Sequence, residues 1–170
     1  MSKFDEIRQA YVDARKVFFD HRDASAVLAL SLVEGMERYL GCPQFYIHFL
    51  INARQATAAA AHDAKSAVVY GNDGLWHFTV SMDVIDNADG FRKNAARQTL
   101  MFELLVQPQD PGFSVGLKGW NDRFVVPAPG DSPESTRFYD FWFKRILDSY
   151  VQPGHRFFED MADSDRAVHG

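Results

Sequence analysis

The chain has 170 residues, of which 46% are hydrophobic and 24% are charged. These are ordinary values for a globular protein, and they disfavour both a disordered chain and a membrane protein. With 18 Lys and Arg against 23 Asp and Glu, the net charge of -5 would repel a polyphosphate backbone, so nucleic acid is not expected as a partner.

The longest apolar runs, residues 26–33 and 45–51, are much shorter than the roughly 20 residues that cross a bilayer. The N-terminal sequence has no apolar stretch of the kind found in a signal peptide, and the single Cys42 excludes an internal disulfide. We therefore expect a cytoplasmic protein with one domain over residues 1–170, whose polar tail frays from about residue 160.

Two helical segments are predicted at the N-terminus. The first places apolar residues at alternate spacings of three and four: Phe4, Ile7, Tyr11, Ala14 and Phe18. The second should cover residues 24–40, with Asp23 or Ser25 as its N-cap and Gly41 at its C-terminal end. The sequence leaves open whether these segments form a hairpin or one bent helix.

Alternating polar and apolar residues then predict strands. This pattern marks residues 44–52, 75–84 and 97–107. The apolar run at residues 67–70 should form a hairpin with the second of these strands, and residues 113–119 and 122–127 supply two more short strands. Because short turns connect most of these segments, we predict an antiparallel meander of five or six strands.

A last helix is predicted from Pro133, after the N-cap residue Ser132, to about Tyr150. Aromatic side chains cover most of its circumference. Packed on the sheet, this helix and the two N-terminal helices would complete an α+β fold of two layers.

The long predicted strand at residues 75–84 directs polar side chains away from its apolar face: His77, Thr79, Ser81 and Asp83. In the neighbouring strand Glu103 takes the equivalent face, and cross-strand neighbours lie about 5 Å apart. One hypothesis is a pocket in which His77 is the acid-base group, Asp83 or Glu103 orients it, and Thr79 and Ser81 bind a ligand. We favour the simpler interpretation, in which these residues form the solvated outer face of a half-buried strand.

No metal site and no cofactor is predicted. The six histidines lack a helical HExxH pair or comparable ligand spacing. The chain also lacks the glycine-rich phosphate loops and the GxSxG nucleophile motif of common enzyme families.

Aromatic residues make up 14% of the chain, which favours a partner surface as well as a core. The predicted C-terminal helix offers four candidate interface residues: Phe138, Phe141, Trp142 and Tyr150. An alternative is that this helix is buried under the sheet.

Small size, acidic charge and aromatic content resemble those of the small type III secretion chaperones, which pair as dimers and hold an unfolded client. The long helical N-terminus departs from their usual pattern, and no diagnostic motif identifies the chain as a member. We expect a non-enzymatic protein-binding, adaptor or chaperone-like protein that forms a homodimer. The alternative function is small-molecule binding or catalysis in the pocket around His77.

Overall fold

The computed structural model describes residues 2–42, 46–51, 64–85, 97–127 and 132–151. Along the chain the elements are α1 (Lys3–Leu40), β1 (Ile47–Phe49), α2 (Ala64–Ala67), β2 (Val68–Tyr70), β3 (Trp76–Ile85), β4 (Arg97–Pro108), β5 (Phe113–Leu117), β6 (Phe124–Val126) and α3 (Pro133–Val151). The predicted α+β class is confirmed. The tail predicted from about residue 160 lies outside the described residues.

The six strands form one antiparallel sheet in the order β1, β3, β4, β5, β6. The short strands β1 and β2 share one edge of β3, where β1 pairs with residues 80–82 and β2 with residues 76–78. From β3 to β6 each strand pairs with the next along the chain, which confirms the predicted meander.

The core lies between one face of this sheet and two helices, the second half of α1 and the whole of α3. Its largest fully buried side chains are Leu28, Leu32, Met36, Phe78, Val80, Leu104, Val106, Val115, Leu117, Val126, Phe138 and Trp142. Four of them, Phe78, Val80, Leu104 and Val106, are residues that alternation in the sequence places on one face. The fold is therefore a two-layer sandwich.

The two predicted N-terminal helices are one continuous helix. α1 has 38 residues and is about 57 Å long. No glycine or proline interrupts residues 3–34, and Asp23, a predicted N-cap, instead accepts hydrogen bonds from the side chains of Arg22 and Lys65. The helix ends at Gly41 as predicted, because this residue adopts a left-handed conformation with φ of 64°.

α1 and α3 come into close contact at Gly35. A Cβ atom at this position would overlap the hydroxyl of Tyr139. One turn further along α1, Tyr39 donates a 2.5 Å hydrogen bond to Asp140 of α3. The absent side chain at Gly35 and this polar contact fix the end of α1 against α3.

Glu37 connects the end of α1 to the sheet. Its side chain is buried, and its Oε1 accepts hydrogen bonds from the backbone N–H groups of Tyr46 (3.1 Å) and Ile47 (3.2 Å) at the start of β1. A charged acceptor strengthens such bonds. Glu37 therefore holds β1 in place beside β3.

We expect Glu37→Ala to lower the free energy of unfolding by about 1–3 kcal/mol, because two backbone donors lose their acceptor. Chemical denaturation measures this loss, and amide hydrogen exchange should accelerate at Tyr46 and Ile47. Glu34→Ala, at an exposed position one turn earlier, is the matched control and should stay within about 0.5 kcal/mol of the wild type. Equal losses in the two variants would contradict this role of Glu37.

Candidate functional site

The polar side of β3 faces away from the helices, as alternation predicts. The register pairs Thr79 with Glu103 and Asp83 with Thr99. Ser81, in the middle of this row, is only 7% exposed. The outer face of the sheet is therefore partly closed to solvent around Ser81.

Four ionisable residues on this face form what we call the outer-face cluster: Asp73, His77, Glu103 and Lys118. His77 Nδ1 lies 2.6 Å from Glu103 Oε1, and His77 Nε2 lies 2.9 Å from Asp73 Oδ1. Lys118 Nζ lies 2.8 Å from Glu103 Oε2. The imidazole and Glu103 are mostly buried, while Asp73 and Lys118 are exposed. The cluster thus connects the turn before β3, β3 itself, β4 and the end of β5.

The turn between β2 and β3 positions Asp73. Its Oδ1 accepts a hydrogen bond from the backbone N–H of Leu75 (3.2 Å), and Gly74 supplies the positive φ of 78° that closes the turn. A Cβ atom at Gly71 would overlap both Asp73 Oδ1 and His77 Nε2. The glycine at position 71 therefore leaves the space in which these two side chains meet.

The electrostatics of the cluster lower the pKa values of both carboxylates and so favour their ionised form. Burial tends to raise the pKa of Glu103, but hydrogen bonds from Lys118 and His77 outweigh this effect and hold the pKa below its ordinary value. The hydrogen bond with His77 is the main cause of the lowered pKa of Asp73. Since both imidazole nitrogens face a carboxylate, both contacts are hydrogen bonds only when each nitrogen carries a hydrogen.

Of the predicted acid-base residues, the structure brings together His77 and Glu103 but not Asp83. Asp83 is six residues further along β3, roughly 20 Å from His77, and accepts a 2.7 Å hydrogen bond from Thr99 Oγ1. Asp73, which the sequence indicates only as a turn residue, takes the second position beside the imidazole. Transfer of a proton between His77 Nε2 and a ligand would require Asp73 to move away. The catalytic role of His77 and the ligand-binding roles of Thr79 and Ser81 stay predictions.

The predicted interface residues of α3 separate into two groups. Phe138 and Trp142 are fully buried, with their ring centroids 5.8 Å apart, so their side chains have no surface to offer a partner in this conformation. Phe141 is partly covered by the Arg145 guanidinium, 4.8 Å from its ring centroid. Tyr150 is 42% exposed. The interpretation of α3 as a helix buried under the sheet therefore applies to Phe138 and Trp142.

A more exposed apolar surface lies on the first half of α1, residues 3–22, which we call the arm. Its apolar stripe is open to solvent, with Phe4 71%, Ile7 67% and Tyr11 64% exposed. At the base of the arm the Phe18 ring lies 5.3 Å from Tyr70 and 4.9 Å from Trp76, measured between centroids. The arm therefore leaves the sheet near Phe18.

The stripe on the arm continues the face with which α1 packs on the sheet. Tyr11 and Phe18 are followed at spacings of seven, four, three and four by the buried residues Ser25, Ala29, Leu32 and Met36. In a helix of 3.6 residues per turn these positions share one side. The same side of α1 is therefore core along one half and exposed along the other.

Two surface cavities flank α3. One, of about 670 Å³, lies between the end of α1 and the start of α3 and is lined by Gly35, Arg38, Tyr39, Ser132, Pro133, Thr136 and Tyr139. The other, of about 430 Å³, lies beside β4 and is lined by Leu100, Met101, Phe102, Trp120, Arg145, Asp148 and Ser149. Within the described ranges, no group of three or more His, Cys, Asp or Glu residues is placed to hold a metal ion.

The chain was compared with protein-family models, with curated proteins and with solved structures, and none of them matches. In the part of the chain that the structure describes, neither long helix has a stretch apolar enough to cross a bilayer.

The lowered pKa of Glu103 predicts how stability depends on pH. Its contribution is present above the ordinary pKa of a glutamate and is lost as the pH falls through the lower pKa of the folded state. We expect Glu103→Gln to lose less stability than the wild type as the pH is lowered over that window. Unfolding free energies measured against pH test this, with Glu34→Gln on the exposed side of α1 as the control. Parallel pH profiles for the wild type and Glu103→Gln would contradict it.

Proposed function

We propose that the protein is a non-enzymatic protein-binding protein, of the adaptor or chaperone-like kind, that works as a homodimer. The observation that supports this proposal is the exposed apolar stripe of the arm, since contiguous apolar surface rimmed by charge marks interaction sites on soluble proteins. Cytoplasmic localisation stays a prediction.

The shape of α1 favours a second copy of the arm in antiparallel orientation. In a parallel pair the two helices would face each other along their whole length. The second half of each would then occupy the space of the other copy's sheet, because the stripe and the core-facing side of α1 are one face. An antiparallel arm lies under the exposed stripe alone and avoids this clash.

The chain after residue 22, which we call the body, limits the register of the two arms. The contacts of Phe18 with Tyr70 and Trp76 close the stripe at its base. The two stripes can therefore pair only as far as the residues before Phe18. The longest such pairing places Phe4 opposite Ala14 of the second copy, and Ile7 opposite Tyr11 of the second copy. The large Phe4 side chain then meets the small Ala14, and Ile7 and Tyr11 form an apolar contact in the middle of the pair.

The distribution of charge agrees with this orientation. The arm has five basic and four acidic residues, a formal charge of +1, whereas the rest of the chain has 13 basic and 19 acidic residues, a charge of -6. Two arms therefore hardly repel each other, while two bodies do. The antiparallel pair places the bodies at opposite ends of the paired arms.

The exposed area of the stripe indicates a reversible dimer. Phe4, Ile7 and Tyr11 together expose on the order of 400 Å² per copy, so a symmetric pair would bury about 800 Å² of apolar surface through these side chains. Stable interfaces bury about 1,200–2,000 Å² in total. We therefore expect monomer and dimer to exchange with protein concentration.

Ile7→Asp should weaken the dimer. Each substitution removes an apolar contact worth about 1.5–3 kcal/mol, and it counts twice in a symmetric pair, so Kd should rise at least ~100-fold. Sedimentation equilibrium or light scattering measures Kd, and circular dichroism checks that the fold is kept.

The matched control is Val12→Asp. Val12 is 51% exposed and lies on the arm away from the stripe, so the same change in charge and helix propensity should leave Kd close to that of the wild type. A wild-type protein that stays monomeric over the accessible concentration range would refute the dimer. Equal weakening by both variants would refute the stripe as its surface.

A further inference from the structure

The sheet has an incompletely paired strand at its centre. β3 pairs with β4 along residues 97–106, but β5 pairs with β4 only from Leu104 onward. The backbone N–H of Lys118 donates to the Glu103 carbonyl at 2.9 Å and closes this ladder. Within the described residues, no strand pairs with residues 98–102 of β4 on the β5 side.

The unpaired edge presents a defined set of backbone groups. The Glu103 carbonyl points toward β5, as its bond with Lys118 shows. In an antiparallel sheet the N–H and C=O of every second residue point to the same side. Thr99 and Met101 therefore direct their N–H and C=O groups to this edge, where an incoming strand would pair with them.

This edge is the floor of the 430 Å³ cavity, which we call the β4 notch. Three consecutive β4 residues, 100–102, line it, and its walls are Trp120 from the turn after β5 and three residues of α3: Arg145, Asp148 and Ser149. Met101 is 60% and Trp120 37% exposed. The notch thus places the unpaired backbone groups of β4 beside exposed apolar side chains.

Arg145 supplies a fixed donor in the wall of the notch. Its Nη1 bonds Asp148 Oδ2 at 3.1 Å, and its guanidinium lies over the Phe141 ring. Its Nε is buried and has no acceptor among the described residues. The Arg145 side chain as a whole is 28% exposed and lines the notch, so its guanidinium can donate to an acceptor that enters there.

The shape of the notch decides between possible occupants. The β4 edge of a second copy is recessed in an identical notch, so two such edges cannot meet. A helix is about 10 Å wide, and its backbone groups are already bonded to each other. A single extended peptide of about five residues, roughly 16 Å long, matches the unpaired stretch and can bond to it.

We propose that the β4 notch binds an extended segment of a partner protein by strand addition, with an acidic side chain of that segment accepting a hydrogen bond from the Arg145 guanidinium. α3 lies on the core side of the sheet, so the acidic residue is on the core-side face of the added strand. This inference goes beyond the arm-mediated dimer, and it uses no residue of the arm.

The test uses the full-length protein and a synthetic probe, acetyl-Val-Thr-Asp-Thr-Val-amide, followed by calorimetry and by NMR of the Thr99 and Met101 amides. We expect saturable binding, and a slowing of exchange at both amides by about tenfold when the peptide is at about ten times Kd. Absence of saturable binding would overturn the proposal. So would amides that are already protected in the free protein, because the chain itself would then fill the notch.

Two modified peptides test the backbone pairing. One peptide is N-methylated at its first, third and fifth residues, and the other at its second and fourth. The two patterns block opposite edges of the added strand, so one peptide should lose binding to the protein and the other should keep it. Equal affinity of both for the protein would rule out strand addition.

Arg145→Gln should weaken binding of the probe at least ~10-fold, because it removes a charged donor. Arg137→Gln, at an exposed position on the same helix, is the control and should bind like the wild type. The wild type should also prefer the Asp probe to the same peptide with Lys; no preference would refute the role of Arg145. Ile7→Asp should bind the probe with unchanged affinity, so the dimer and the notch can fail independently.

Discussion

The arrangement of this molecule depends on the uninterrupted helix α1. One apolar face runs along a single rigid rod of 38 residues, and the sheet is long enough to cover only the second half. In the covered half this face anchors the core, and Gly35 and Glu37 fix α3 and β1 relative to it. The exposed arm follows from the same continuity, since no glycine or proline lets the first half fold back.

The outer-face cluster connects residues that are far apart in the sequence. His77 is placed between two carboxylates that come from different segments, and Lys118 neutralises one of them. A catalytic imidazole needs one nitrogen directed at a substrate. In this structure each nitrogen faces a carboxylate of the protein, and the contacts of the cluster hold the β2–β3 turn and the end of β5 against the sheet.

Much of the fold can be predicted because its signals are local. Alternation alone places Phe78, Val80 and Leu104 on the core face, and the end of α1 follows from Gly41 alone. The continuity of α1 cannot be predicted, because whether Asp23 acts as an N-cap depends on Lys65, 42 residues away. The candidate site is harder to predict than the fold. Aromatic residues lie around the whole of α3, so no period in the sequence separates its core residues from its surface residues. The contact of Asp73 with His77 depends on the shape of a turn, which the sequence does not determine at this level of detail.

The two proposed surfaces use different physical interactions and lie apart. The arm offers apolar area with its backbone already bonded, whereas the β4 notch offers backbone groups that lack a partner. The arm leaves the sheet beside Trp76, and the notch is opposite Met82, six residues and roughly 20 Å further along β3. Antiparallel pairing of the arms would therefore leave both notches of a dimer uncovered and widely separated. Such a dimer would present two separate notches, each of which could hold one extended segment.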